Sequence, residues 1–204
     1  MRRKQPLIAN HYYHIYNRGV NHQAIFLDQS SWILFLNLLR NYFTRDLVDI
    51  LAYCLMPNHY HLLVYLKSDS FSKAVMQPFA LAFVKTINNQ HGRVGPLFQG
   101  PFKNQLVDSD GYLTHLSRYI HLNPVTAGLV SHPADWEYSS YREYIGVRNG
   151  TLPSTTLILG MFEPKLSNED TAEISKDARS AYADFVCGDD DPRAGVAAGL
   201  LIDN

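Results

Sequence analysis

The sequence predicts an α+β domain built on an antiparallel sheet covered by helices on one face, and three observations carry that prediction. Short runs rich in Tyr, Ile, Val and Leu read as strands, and amphipathic runs at 3.6-residue spacing read as helices. The two alternate in the order strand, helix, strand, strand, helix, strand, helix, which is a split β-α-β arrangement. The third observation is size: 204 residues, 46% of them hydrophobic, suffice for one sizeable core with an appendage.

Taken in order, His11 to Val20 is the first strand, with Asn17-Arg18-Gly19 as a turn or bulge near its end. Gln23 to Leu27 reads as a short strand or a loop. Asp28-Gln29-Ser30-Ser31 offers caps ahead of Trp32, Ile33, Phe35, Leu36, Leu39 and Phe43, the first helix. Leu47 to Leu55 is the second strand. His59 to Leu66 is the third, its antiparallel neighbour across the Met56-Pro57-Asn58 link. Ser70 to Gln90 carries Phe71, Val75, Phe79, Phe83 and Ile87 at helical intervals, and Pro78 makes it a kinked helix or two helices. Gly100 to Val107 is the last strand. Asp108-Ser109-Asp110 caps a helix carrying Leu113, Leu116 and Ile120, which Pro124 and Gly128 bring towards its end. Beyond Gly146, Asn149 to Ser154 reads as a linker and Asp170 to Val186 as an acidic helix with Ile174, Ala178, Tyr182 and Phe185 on one face. The expected organisation is a domain over residues 1–148 and an acidic C-terminal helical extension, 149–204, packed on it.

Charge divides the same way. Residues 1–148 hold 14 Lys and Arg against 9 Asp and Glu, whereas residues 149–204 hold 4 against 10, giving the net −1 of the whole chain. A mildly basic body suits phosphate binding, although such an excess is ordinary for a soluble domain. No run approaches the ~18 apolar residues of a membrane span, and Met1-Arg2-Arg3-Lys4-Gln5-Pro6 is not followed by the apolar stretch of a signal peptide. The expectation is a cytoplasmic protein without a membrane partner. Cys54 and Cys187 form no Cys-x-x-Cys pair and read as reduced thiols.

Chemistry concentrates in two segments. On the third strand His59 and His61 point the same way, spaced so that two imidazoles can grip one ion. A His-x-His pair alone is common and weak. On the last predicted helix Tyr119 and Asn123 are four apart and stack on one side. Taken singly, Tyr119 is one of 13 tyrosines and Asn123 is a helix end before Pro124. His115, one turn before Tyr119, is a further neighbour of that position, while His14 and His121 read as core or surface residues.

His59-Tyr60-His61 followed by Arg118-Tyr119-Ile120-His121-Leu122-Asn123-Pro124 resembles the single-tyrosine HUH transposases of the IS200-like superfamily, in particular the branch associated with repetitive extragenic palindromes (REPs). Tyr13 to Gly19, Ala52 to His59, Leu97 to Gly100 and Trp136 to Arg142 resemble that family in its usual order, from about Tyr12 to Gly146. The resemblance implies a ferredoxin-like (RRM-like) fold and a DNA strand transferase. Tyr119 would be the catalytic nucleophile forming a 5′-phosphotyrosine, and His59, His61 and Asn123 would hold a divalent cation, Mg²⁺ or Mn²⁺. The implied substrate is hairpin-bearing single-stranded DNA in a bacterial cytoplasm. Arg2, Arg3 and Lys4 form a candidate basic arm, and Arg18, Lys103 and Arg118 are candidate phosphate contacts. Two positions depart from the family pattern, which commonly has arginine at Pro101 and Thr126. Those losses leave open a non-catalytic nucleic-acid-binding or regulatory remnant, and the histidine pair leaves open a hydrolytic metal phosphoesterase. The extension favours a monomer over a homodimer.

Overall fold

The computed structural model describes residues 6–164, 174–188 and 191. Four strands, β1 (His11–Arg18), β2 (Val48–Met56), β3 (His59–Leu66) and β4 (Lys103–Val107), form one sheet in the order β2-β3-β1-β4. Central β1 runs antiparallel to β3 and to β4. This is the ferredoxin-like topology that the order of elements predicts.

Side chains alternate across a strand, so the register sorts the sheet into two unlike faces. Arg18 pairs with His59, Tyr16 with His61 and Lys103, and His14 with Leu63 and Gln105, placing all of these on one face. Tyr13, Ile15 and Asn17 share the other face with Tyr60, Leu62 and Val64. That second face is apolar and is covered by α1 (Gln29–Tyr42) and α2 (Gln77–Gln90). Phe35 stands 5.1 Å from the Tyr60 ring and meets Phe79 and Phe83 edge-on at 4.9 and 5.0 Å. Edge-to-face rings of this kind fix the helices on the sheet beyond the area they bury.

Local sequence explains the element ends. Asp28 caps α1 by accepting from the Ser31 N–H at 2.8 Å, and Ser31 Oγ accepts from the Asp28 N–H at 3.2 Å, a reciprocal box. Ser70 to Gln90 forms two helical segments, a π-helical turn over Ser72–Met76 and then α2, with Pro78 in the first turn of α2. Gln23 to Leu27 forms no strand. A 3₁₀ turn (Val20–His22) gives way to a loop held by the Ile25 N–H on the Pro57 carbonyl at 2.9 Å. Gly19 is required there, because a Cβ would collide with the Gln23 carbonyl. β4 begins at Lys103 rather than Gly100, and the Gly100 carbonyl instead accepts from Asn17 Nδ2 at 3.0 Å.

Residues 51–54 and 108 onward form a second compact unit. Its main helix, α3 (Asp110–Thr126), is capped by Ser109, whose Oγ accepts from the Tyr112 N–H. It ends at Gly128, which takes φ +68° while the Leu129 N–H closes on the Pro124 carbonyl at 2.9 Å. The short helices α4 (Tyr141–Tyr144) and α5 (Thr156–Gly160) follow, then α6 (Lys176–Cys187), capped by Ser175. The acidic helix expected from Asp170 therefore begins at Lys176, and residues 170–173 lie outside the described residues. Tyr182 of α6 is fully buried and joins α6 to α3: its hydroxyl donates to Ser117 Oγ at 3.0 Å and bonds His121 Nδ1 at 2.7 Å. No helix among the described residues is long and apolar enough to cross a membrane.

Candidate active site

The polar face of the sheet carries the first half of the site. His59 and His61 are fully buried, with their rings 4.9 Å apart and perpendicular. His59 Nδ1 lies 2.6 Å from Asn58 Oδ1. A carbonyl oxygen only accepts, so Nδ1 carries the proton and the lone pair is on Nε2. His61 Nδ1 bonds His14 Nε2 at 2.8 Å, and those two rings stack at 5.0 Å. A metal-binding imidazole is typically oriented this way, through its other nitrogen.

Burial disfavours the charged form of His14 and His61. It pushes the His14 pKa down to about 3. His61 falls well below the ordinary imidazole value, first through burial and then through the charges of His59, His14 and Arg18. A neutral imidazole offers the lone pair that a cation needs. The donor set therefore fits a divalent cation that keeps its full charge. Among the described residues no group of three or more His, Cys, Asp or Glu side chains is arranged to hold a metal.

That amide and the phenol stand together on α3. Tyr119 and Asn123 are both buried, and Asn123 Nδ2 donates to the Tyr119 carbonyl at 2.7 Å. The bond turns the amide so that its nitrogen faces the helix backbone. Nearby His121 has a different role. Its Nδ1 and Nε2 bond the Tyr182 hydroxyl and Ser140 Oγ at 2.7 and 2.8 Å, and burial pushes its pKa to about 3. It is a packed core residue. His115 packs edge-on to Phe185, with ring centroids 5.4 Å apart.

One agreement and one correction concern residues read from sequence. His14, read as a core or surface residue, is fully buried and bonds His61 Nδ1 through Nε2. The signal was present in the alternation His14, Tyr16, Arg18 on β1, but it acquires meaning only once β1 is paired with β3. Arg118, expected to contact phosphate, is 2% exposed and donates to four carbonyls: Nε to Phe185 and Val186 at 2.8 and 3.2 Å, Nη1 to Asp191 at 3.1 Å and Nη2 to Gly188 at 2.8 Å. Its guanidinium is committed to holding the C-terminal segment. Arg18 remains on the histidine face. Lys103 is exposed, with Nζ 5.9 Å from the centre of the Tyr16 ring. Arg2, Arg3 and Lys4 lie outside the described residues. Pro101 lines a groove of about 630 Å³ with Phe102, Phe98, Tyr60, Met76 and Leu81, an apolar wall where the family pattern has a cation. Thr126 is exposed in the last turn of α3.

A split β-α-β sheet displaying His-x-His, together with a helix bearing Tyr-x-x-x-Asn, defines a class, the IS200-like transposases. The model of the family described as "Transposase IS200 like" matches residues 8–123, and the chain belongs to that family. Within it the chain is similar to REP-associated tyrosine transposases. It is 30% identical over 107 residues to a Haemophilus influenzae protein assigned to that group, a match covering 46% of this chain and 58% of the relative. The chain thus spans little more than half of that relative's length. The solved structure of a REP-associated tyrosine transposase bound to a REP hairpin superposes with a TM-score of 0.59 at 15% identity, over 75% of this chain and 96% of that one. At that identity the likeness is one of fold.

Proposed function

We propose that this chain is a metal-dependent DNA strand transferase that cuts and rejoins hairpin-bearing single-stranded DNA through a 5′-phosphotyrosine intermediate. The observation that carries the reading is the pair of buried histidines, His59 and His61, each held through Nδ1, in a chain of the IS200-like family that also bears Tyr119 and Asn123 on one helix. The Tyr119 oxygen attacks the scissile phosphorus after losing a proton normally held to a pKa near 10. The P–O3′ bond breaks, the 3′ oxygen leaves as a hydroxyl, and the new P–O bond to tyrosine conserves the energy of the old one. In the reverse step the 3′-OH attacks that linkage and frees the phenol. Neither step needs ATP.

His59 and His61 with Asn123 Oδ1 are the residues that would hold a divalent cation, Mg²⁺ or Mn²⁺, which would withdraw charge from a non-bridging phosphate oxygen. Single-stranded substrate follows from the need of a tyrosine for an unpaired, flexible phosphate. Arg18 and Lys103 are the described cations available to that strand on the histidine face. The organisation into a body and a docked extension, a cytoplasmic location and a monomeric state belong to the same reading.

The test incubates the protein and Tyr119→Phe with labelled hairpin DNA from the flanks of the gene, with Mn²⁺ or EDTA, on a denaturing gel. A metal-dependent covalent adduct absent from the phenylalanine variant is expected. Binding without adduct would move the assignment to a non-catalytic DNA-binding protein, and fragments without adduct to a hydrolytic phosphoesterase.

A further inference from the structure

We infer that Arg18 grips the scissile phosphate itself and is a catalytic residue, a step that rests on the strand-transfer reading above. Arg18 closes β1 directly opposite His59, so the two side chains leave the sheet on the same face. It is 7% exposed. The described residues include the ion pairs Lys67–Asp49, His91–Asp28 and Arg148–Glu143, and Arg18 is in none of them. Its Nε is buried and has no hydrogen-bond partner among the described residues.

A guanidinium does not escape burial by losing its proton, so an unpaired one is a standing cost to the fold. Such a cost persists where an anionic ligand compensates it, and the planar fork of arginine matches the paired oxygens of a phosphate. Arg118 supplies the contrast, since its donors are satisfied by carbonyls.

The position is also fixed. The Arg18 N–H donates to Asn17 Oδ1 at 2.9 Å and its carbonyl accepts from the Gln99 N–H at 2.9 Å. The next residue, Gly19, donates its N–H to the Asn58 carbonyl at 2.8 Å, while Asn58 Oδ1 holds His59. One asparagine thus ties the backbone beside Arg18 to the ring of a proposed ligand. The Arg18 charge is felt in that neighbourhood, where it contributes to the lowered proton affinity of His61. Preorganised donors aimed at a phosphate whose oxygens gain charge in the transition state are worth most in a dry site like this one.

The experiment compares the wild type, Arg18→Lys and Arg18→Met on two hairpin substrates, one with a normal phosphodiester at the mapped cleavage position and one with a neutral methylphosphonate there. Thermal melting of each protein without DNA is measured alongside. On the phosphodiester Arg18→Met should form adduct about 10²–10³-fold more slowly, the usual effect of removing one oxyanion donor, with Arg18→Lys in between. On the methylphosphonate, which lacks the charge Arg18 neutralises, the gap between wild type and Arg18→Met should close to less than about tenfold. The DNA-free Arg18→Met protein should melt no lower than wild type, because an apolar side chain replaces a largely buried cation that is in none of these ion pairs. An equal loss on both substrates, or a large fall in melting temperature, overturns the assignment in favour of a general binding or scaffold role. A wild type that forms no adduct at all overturns the strand-transfer reading and this proposal together, whereas an active wild type with an undiminished Arg18→Met overturns this proposal alone.

Discussion

The histidine face of the sheet and the junction of α3 with α6 each bury an arginine and a neutral histidine, and they treat them in opposite ways. At the junction, Arg118 donates to four carbonyls and His121 bonds a hydroxyl through each ring nitrogen. On the sheet, Arg18 is in no ion pair found among the described residues, and His61 bonds another imidazole beside His59. Burial and lowered proton affinity are therefore common to both regions. What separates a structural polar cluster from a reactive one is where the hydrogen bonds go.

Breaking the two clusters should have opposite signatures. The largest effect expected is from His61→Ala, which should lower the rate of adduct formation by more than the roughly 10–100-fold loss typical of a ligand's outer partner while leaving the fold intact by circular dichroism. Arg118→Met should do the reverse, costing about 3 kcal/mol of stability in urea titration, since buried carbonyls lose a charged donor, with hairpin affinity per folded molecule unchanged. His14→Gln sharpens the comparison. If His14 orients a ligand, Mn²⁺ affinity measured by calorimetry should fall about 10–100-fold, an effect that His121→Gln should not produce.

The smallest effect is shared. His14 and His121 have folded pKa values of about 3, set by burial, against an ordinary 6.5. Between those values the unfolded chain binds protons that the folded one refuses. Stability should therefore be at its plateau above about pH 6.5 and fall on acidification towards pH 3, by roughly 1.4 kcal/mol per pH unit for each such histidine. Denaturant titrations at pH 7, 6 and 5 measure that slope, and replacing either histidine should flatten it.

The difference between the two regions also shows how far a sequence can be read. β3 is bounded in the structure by His59 and Leu66 as its composition predicts, and the caps of α1 and α3 fall on Asp28 and within Asp108-Ser109-Asp110. These are local signals, set by turn chemistry and alternation. The sheet order follows from the order of elements. The role of His14 did not emerge, because its partner is 47 residues away and the pairing register is invisible in the chain. Arg118 was misread for the same reason: it sits among motif residues, but its acceptors arrive 67 to 73 residues later, on a segment whose docking no local pattern announces. The two segments around Pro78 were legible as a kink or a division, but the π-helical form of the first leaves no periodic mark.

The central claim is that Tyr119 becomes covalently joined to DNA. Trypsin digestion of the adduct with fragmentation mass spectrometry tests it most directly, since cleavage after Arg118 and Arg142 releases one peptide in which Tyr119 is distinguishable from Tyr138 and Tyr141. A nucleotide linked through a 5′-phosphate to Tyr119 is the predicted result. The same mass on another tyrosine, or no nucleotide on any, would contradict it.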